Sequence, residues 1–428
     1  MTDTADTRPL TGAIPSDGSA LGLAGYHRSG GYEGAAKALR EMTPDGIRDE
    51  VTKAGLRGRG GAGFSTGRKW GFLPRQDGGQ RYLVVNGDEM EPGTFKDRVL
   101  LEGNPHQLIE GMVISAFAIQ ASQAIIFLRG EYTLAAQRLA VALAEATDAG
   151  FVGGNLLGTG YDLEIQLHSS AGRYICGEET ALLTSLEGKR AIPRAKPPFP
   201  QTSGLWGCPT VVNNVETLCN VPHIVRNGSA WYRSLSCGED GGTKIYGVSG
   251  RVKRPGAWEL PMGTTVREIL EEHAGGMQDG YRLRGLLPGG ASTEFLTADQ
   301  LDVAMDFGSV EKAGSRLGTG TMIILDDRTC PVGMLLNLEH FFAQESCGWC
   351  TPCRDGLPWI ERMLEAIENG EGRPEDLDLL AMHVDLLGPG KTFCALAPGA
   401  MEPLGSGLKH FRADFERHIA EGRCPWRQ

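Results

Sequence analysis

Gly58-Arg-Gly-Gly-Ala-Gly-Phe64 holds a literal G-x-G-x-x-G in Gly58, Gly60 and Gly63, and its setting decides the fold. The dinucleotide fingerprint follows a strand and opens a helix, which brings bare backbone and a helix N-terminus to a pyrophosphate. Here residues 44–54 read as a helix, and no apolar run separates them from the glycines. The standard fingerprint is therefore disfavoured, although Asp88 stands at a suitable distance downstream. The segment still offers glycine backbone, beside Arg59 and Lys69, that can approach a phosphate or a flat ring closely. A ligand-free glycine loop is the competing reading.

Working outward, the first ~240 residues read as α/β. Residues 81–86 (Arg-Tyr-Leu-Val-Val-Asn) form a buried strand that ends in polar residues, and 124–128 form the next. Helices are expected at 105–120 and 134–149, and 163–167 alternates as a half-exposed strand would. Asp240-Gly-Gly-Thr243 is a turn cluster and a domain boundary. Beyond it lies a small α+β unit with strands at 244–249 and 321–325 and a helix at 264–272. From 330 onward the pattern is helical, with helices near 332–344, 358–369, 375–387 and 400–420.

Several segments carry polar groups in places where packing does not call for them. Asn86-Gly-Asp-Glu-Met-Glu-Pro92 bunches Asp88, Glu89 and Glu91 at a strand's carboxyl end, where carboxylates can accept from ribose hydroxyls. A solvated acidic loop would look the same. Tyr174, Glu178 and Glu179 flank Gly177 just before a helical stretch, where the glutamates also suit a helix start. Lys196-Pro-Pro-Phe-Pro200 stiffly presents a cation and the Phe199 ring, which could stack on adenine or belong to a plain crossover. Asn213, Asn214 and Thr217 suit hydrogen bonding to a heterocycle, and equally a helix cap.

The sharpest signal is Cys347-Gly-Trp-Cys-Thr-Pro-Cys353, joined by the distant Cys394. Three thiolates on one concave loop with a fourth from elsewhere suit a cubane [4Fe–4S] cluster. A second cluster would want cysteine at 357, which is leucine. Structural zinc more often takes two separated C-x2-C pairs. Cys176, Cys208, Cys219, Cys237, Cys330 and Cys424 share no ligand spacing and read as structural. No histidine context suggests hydrolysis.

Composition is that of a globular protein: 428 residues, 41 % hydrophobic and 22 % charged. A net charge of −11 argues against nucleic-acid binding. Residues 1–20 lack the pattern of a signal peptide. Ten cysteines without one point to a reducing compartment. Residues 108–128 are interrupted by Glu110, Gln120, Ser122 and Gln123, so no direct transmembrane span is expected.

GLRGRGGAGF, NGDEMEPGT, GRYICGEETAL, VNNVETL and ESCGWCTPCR together resemble one family, the F subunit of NADH-quinone oxidoreductase, which is the flavin- and NADH-binding (51 kDa) subunit of complex I. The resemblance runs from about residue 32 to 415. It implies a Rossmann-like FMN/NADH domain (1–240), a small ubiquitin-like α+β domain of SLBB type (241–329) and a C-terminal four-helix bundle holding the [4Fe–4S] cluster (330–428). On matching positions, Gly58, Gly60, Gly61, Lys69, Asn86, Asp88, Tyr174, Gly177, Glu178, Asn213, Asn214 and Thr217 would line FMN. Arg59, Glu89 and Val212 would lie with them. Phe64 and Phe199 would sandwich the adenine of NADH beside Lys196, with Glu91 and Glu179 facing the nicotinamide nucleotide. Cys347, Cys350, Cys353 and Cys394 would hold the cluster. The activity implied is oxidation of NADH by hydride transfer to FMN, with electrons passed singly to the cluster and on to quinone. That implies a peripheral place on the cytoplasmic side of the bacterial inner membrane. The partners implied are a small thioredoxin-like [2Fe–2S] subunit and a large iron–sulfur subunit. The same module serves as the diaphorase of soluble NAD-linked formate dehydrogenases and hydrogenases. The chain's length favours the complex I subunit.

Overall fold

Tyr82–Gly87 (β1), Gln123–Leu128 (β2), Glu164–Ser169 (β3) and Thr210–Asn214 (β4) form a parallel sheet of order β3-β2-β1-β4. The computed structural model describes residues 7–74 and 78–427. Residues 1–6, part of the polar amino-terminal stretch, lie outside the described residues, as do 75–77 and 428. β1 is flanked on both sides and its Leu83, Val84 and Val85 are all buried, whereas the edge strand β3 is the half-exposed one expected. Asn86 of β1 sits in register with Asn214 of β4. The strand order reverses at β1, so the carboxyl ends of β1 and β4 bound a topological switch point, where ligands of open α/β sheets bind.

The alternation of side chains along the strands divides the core. Leu83, Val85, Ala124, Ile126 and Val211 belong to one cluster, which includes helices α1 (Pro44–Lys53), α3 (Pro105–Ile119) and α4 (Thr133–Asp148). A short α2 (Lys96–Gly103) precedes α3. Val84, Ile125, Phe127 and Val212 face the other way and share a cluster with α5 (Glu179–Leu186) and the C-terminal helices. The membrane-like stretch is thus a helix followed by a strand. Among the described residues no helix is long and apolar enough to cross a membrane. After β4, α6 (Val215–Asn227) is capped by Asn214, whose side chain accepts from the Thr217 N–H.

The second sheet has the order β6-β5-β9-β7-β8. Its strands are Thr243–Ser249 (β5), Gly256–Pro261 (β6), Leu283–Leu287 (β7), Leu296–Thr297 (β8) and Thr321–Asp326 (β9). The helix expected at 264–272 shrinks to Val266–Glu268 and runs on as a π-turn over Ile269–His273, with Thr265 as its cap.

Four long helices follow, α7 (Pro331–Glu345), α8 (Thr351–Glu368), α9 (Pro374–Leu387) and α10 (Leu396–His410), and a shorter α11 (Arg412–Glu421) closes the unit. Two boundaries differ from expectation. α8 begins seven residues before 358, because Pro352 stands in the first turn, where a missing N–H is harmless. Cys353 is therefore helical rather than part of the loop. The helix expected at 400–420 breaks at Phe411, whose buried ring meets Phe295 edge-on at 5.1 Å.

Candidate functional site

The glycine loop reaches the switch point from outside the sheet, ahead of β1 rather than behind it. Gly58 donates its N–H to the Phe64 carbonyl at 2.8 Å, closing the loop. A Cβ on Gly60 would stand 3.0 Å from Cβ of Asn214, so the loop lies against the end of β4. Asn213 accepts from the Trp70 indole at 2.9 Å, and the Asn214 amide donates to Asp97 at 2.6 Å. Asn86 accepts from the Asp88 N–H at 3.0 Å and donates to the Cys176 carbonyl at 3.3 Å. These bonds fix three amides around one crevice.

Asp88 shows that something polar belongs there. It is buried, and neither carboxylate oxygen has a partner of hydrogen-bonding geometry. Burial pushes its carboxyl up to about 6, and the Ser170 hydroxyl and Arg129 counter this only in part. An orphaned buried carboxylate is costly unless a ligand's hydroxyls complete it. A Cβ on Gly177 would meet nothing within 4 Å, so backbone there borders open space. A polyhydroxylated flavin side chain with a flat ring fits both features.

A charged rim surrounds this crevice. Lys69 pairs with Glu179 at 2.7 Å and donates to the Val212 carbonyl at 2.9 Å. Lys196 pairs with Glu178 at 2.7 Å and Glu179 at 3.4 Å. Burial alone would raise Glu179, but Lys69 and Lys196 outweigh it and hold the carboxyl below its ordinary range. Glu178 also caps α5, accepting from the Thr180 and Ala181 N–H groups. Glu91 accepts from the Tyr174 hydroxyl and from the Ser292 N–H, both at 2.6 Å, so the second sheet's unit helps to hold it.

Three expected site residues have their polar atoms engaged by the protein itself. The Arg59 guanidinium is fully buried and donates to the carbonyls of Gly241 (2.9 Å) and Thr243 (3.1 Å) and to the Tyr232 hydroxyl (3.3 Å). Its side chain ties the two sheet units together, and only its backbone belongs to the loop. Glu89 accepts from the Asp97 N–H at 2.8 Å and the Tyr132 hydroxyl at 2.8 Å, and so serves the start of α2. Thr217 is buried and accepts the Arg59 N–H at 2.8 Å. Phe64 and Phe199 are both exposed, but the ring beside Phe64 is Phe72, at 5.9 Å. Phe72 is exposed as well, and in sequence an exposed aromatic and a core aromatic look alike.

Cys347, Cys350, Cys353 and Cys394 line one cavity, closed on the sheet side by Ile175 and Pro193. Burial pushes the Cys353 thiol up to about 12 and Cys394 up to about 11, so only a bound cation would ionise them. One zinc ion would need its four donors within about 4 Å of each other. Among the described residues the group of metal-ligand atoms gathered within 4.8 Å of one another lies elsewhere. Four thiols around one cavity are the donor set of a cubane cluster.

Comparison with known proteins agrees with this geometry. The family model for the Nuo51 FMN-binding domain matches residues 51–223, that for the SLBB domain 245–296, and that for the NADH-ubiquinone oxidoreductase-F iron-sulfur binding region 333–418. The F subunit of NADH-quinone oxidoreductase from Salmonella typhimurium is 58 % identical over 98 % of this chain and 94 % of its own length. Its Escherichia coli counterpart gives the same figures, and that of Streptomyces coelicolor is 49 % identical over 98 % and 92 %. The crystal structure of an NAD+-reducing [NiFe]-hydrogenase in the H2-reduced state superposes with a TM-score of 0.83 at 36 % identity, covering 95 % of this chain and 67 % of that one. The chain belongs to the family of the NADH-quinone oxidoreductase F subunits.

Proposed function

We propose that this chain is the electron-input subunit of a respiratory NADH-quinone oxidoreductase. The observation that carries the reading is one turn shared by two sites. Tyr174 holds Glu91 at the crevice, and the next residue, Ile175, lines the cysteine cavity. Bound FMN would accept a hydride from NADH, and a [4Fe–4S] cluster would take electrons from it one at a time.

The chain's own residues position and tune. Asp88, Asn86 and Asn213 are set to hydrogen-bond the flavin, and the glycine loop with Gly177 leaves room for close approach. Lys69 and Lys196 keep Glu179 ionised, so a nucleotide is met by a balanced rim rather than by bare negative charge. Glu91, fixed by Tyr174 and Ser292, is placed to repel a 2′-phosphate and favour NADH over NADPH. Cys347, Cys350, Cys353 and Cys394 would hold the cluster. Phe64 and Phe199 are the proposed adenine clamp. We further assign the chain to a peripheral place on the cytoplasmic side of the inner membrane, beside a small [2Fe–2S] subunit and a large iron–sulfur subunit, which lead to quinone. The division at 240 and 329 is part of the same reading.

The test is an anaerobic titration of the purified chain with NADH. Flavin absorbance should bleach, and the paramagnetic signal of a reduced [4Fe–4S] cluster should follow. Protein that carries neither flavin nor iron–sulfur absorption overturns the reading. The hydrogenase likeness supports a second one, the diaphorase arm of a soluble NAD-reducing enzyme. Identity of 58 % with the Salmonella typhimurium quinone-reductase protein over 94 % of its length favours the first.

A further inference from the structure

Cys330, Glu368, His418 and Cys424 come from four separate segments, and their ligand atoms all lie within 4.8 Å of one another. Cys330 is the cap residue of α7, Glu368 ends α8, His418 lies in α11, and Cys424 belongs to the tail. Glu368, His418 and Cys424 are at most 3 % exposed. Cys330 Sγ is 3.3 Å from Glu368 Oε2 and 3.3 Å from His418 Nε2, and those two atoms are 3.1 Å apart.

These atoms face a common centre. His418 Nδ1 lies 2.6 Å from the Asp414 carbonyl, which can only accept, so Nδ1 carries the hydrogen. In the neutral ring Nε2 is then a lone pair that faces the same point as the Cys330 sulfur and the Glu368 oxygen. A metal-binding histidine is commonly oriented in just this way, its other nitrogen donating to a carbonyl. The Gly333 N–H points at Cys330 Sγ at 3.2 Å, and Arg427 pairs with the second oxygen of Glu368 at 3.2 Å. Trp426 stacks on the His418 ring at 5.7 Å and shields it.

We propose that these four residues form a structural zinc site separate from the iron–sulfur centre. Two sulfurs, an imidazole and a carboxylate are the donors of a four-coordinate Zn2+ site, and no position is left open for catalysis. Zn–S bonds near 2.3 Å and Zn–N or Zn–O bonds near 2.0 Å, at tetrahedral angles, place ligand atoms roughly 3.3–3.8 Å apart. Three contacts already stand at 3.1–3.3 Å, and Cys424, within 4.8 Å of the others, needs a shift of about 1 Å at most. Zn2+ displaces the two thiol protons, leaving one net negative charge beside Arg427. The site closes the end of the α7–α8 hairpin away from the Cys347–Cys353 turn. The 15 residues of α7 separate the two by about 22 Å. It therefore fixes the carboxyl-terminal tail onto the hairpin that presents three cluster cysteines.

The experiment is elemental analysis and zinc K-edge X-ray absorption on the full chain with flavin and cluster in place. One zinc per chain is expected, with two sulfur and two nitrogen or oxygen neighbours. Cys424→Ser and His418→Ala should lose the zinc, while Cys394→Ala, which removes a cluster ligand, should keep it. The spectrum of the unaltered chain decides the matter even if a variant fails to fold. Absence of zinc after growth in zinc-containing medium overturns the proposal. So does a shell of four sulfurs, which would put zinc in the cluster cavity. A Cys330–Cys424 disulfide, seen by mass after alkylation of free thiols, overturns it as well.

Discussion

Glu216→Gln is the perturbation that best tests how the crevice is held. Glu216 is fully buried at the start of α6, one residue from Thr217 and two from Asn214. Its carboxylate pairs with Lys96 at 2.8 Å and Lys244 at 3.1 Å, and accepts the Ile245 N–H at 2.9 Å. It thereby joins α2, α6 and β5 across the two sheet units. Burial by itself would raise its pKa, but Lys244, Lys96 and Arg59 pull it down to about 2. Against an ordinary value near 4.5, that corresponds to about 3 kcal/mol of stability. Because the folded value is the lower one, this stability is present above pH ~4.5 and is lost as pH falls towards 2.

Glutamine keeps an acceptor for Ile245 but strands Lys244, a fully buried cation, without its anion. Removing one partner from a buried pair costs about 3–5 kcal/mol, or roughly 6–20 °C in melting temperature for a unit of this size. Burial already pushes Lys244 down to about 7, so in the variant this lysine sheds its proton. The unfolded chain then binds more protons than the folded one, and the variant's deficit should shrink as pH rises from 7 to 9. The assay is thermal unfolding of the flavin-loaded chain at pH 5, 7 and 9, followed by flavin fluorescence on release. A melting temperature within 2 °C of the parent at pH 7, or a deficit that grows with pH, would refute the reasoning.

Cys394→Ala should abolish the reduced-cluster signal and retain flavin; an intact cluster would show that Cys394 is not a ligand. Glu91→Gln should raise NADPH use relative to NADH in steady-state assays, and unchanged selectivity would count against charge repulsion at that position. Asp88→Asn should weaken FMN binding, measured by equilibrium dialysis, yet stabilise the flavin-free chain at pH 7. The folded pKa of about 6 lies above the ordinary 3.8, so Asp88 favours folding below pH ~4 and that contribution is lost as pH rises through 6, a difference of about 3 kcal/mol. A flavin-free variant no more stable than its parent at pH 7 removes the case for an orphaned carboxylate.

What the sequence determined by itself is whatever depends on neighbours along the chain. The apolar runs 81–86 and 124–128 became buried parallel strands, since no other environment suits such short β-branched stretches. The absence of a strand before Gly58 correctly displaced the glycine loop from its usual place. Three cysteines at two-residue spacing marked one cavity before any fold was known. Tertiary structure alone decided what each polar side chain would face. Arg59 and Glu89 lie in motifs with ligand-binding residues, yet strand pairing and helix docking turn them inward, where desolvation ties them to carbonyls, hydroxyls and a helix start. Glu91 is held by a backbone N–H some two hundred residues away. Cys330 and Cys424 share no spacing in sequence and meet only when α7, α8 and α11 converge. A residue's chemistry is local to the chain, but its burial, charge state and partners depend on segments that pack against it.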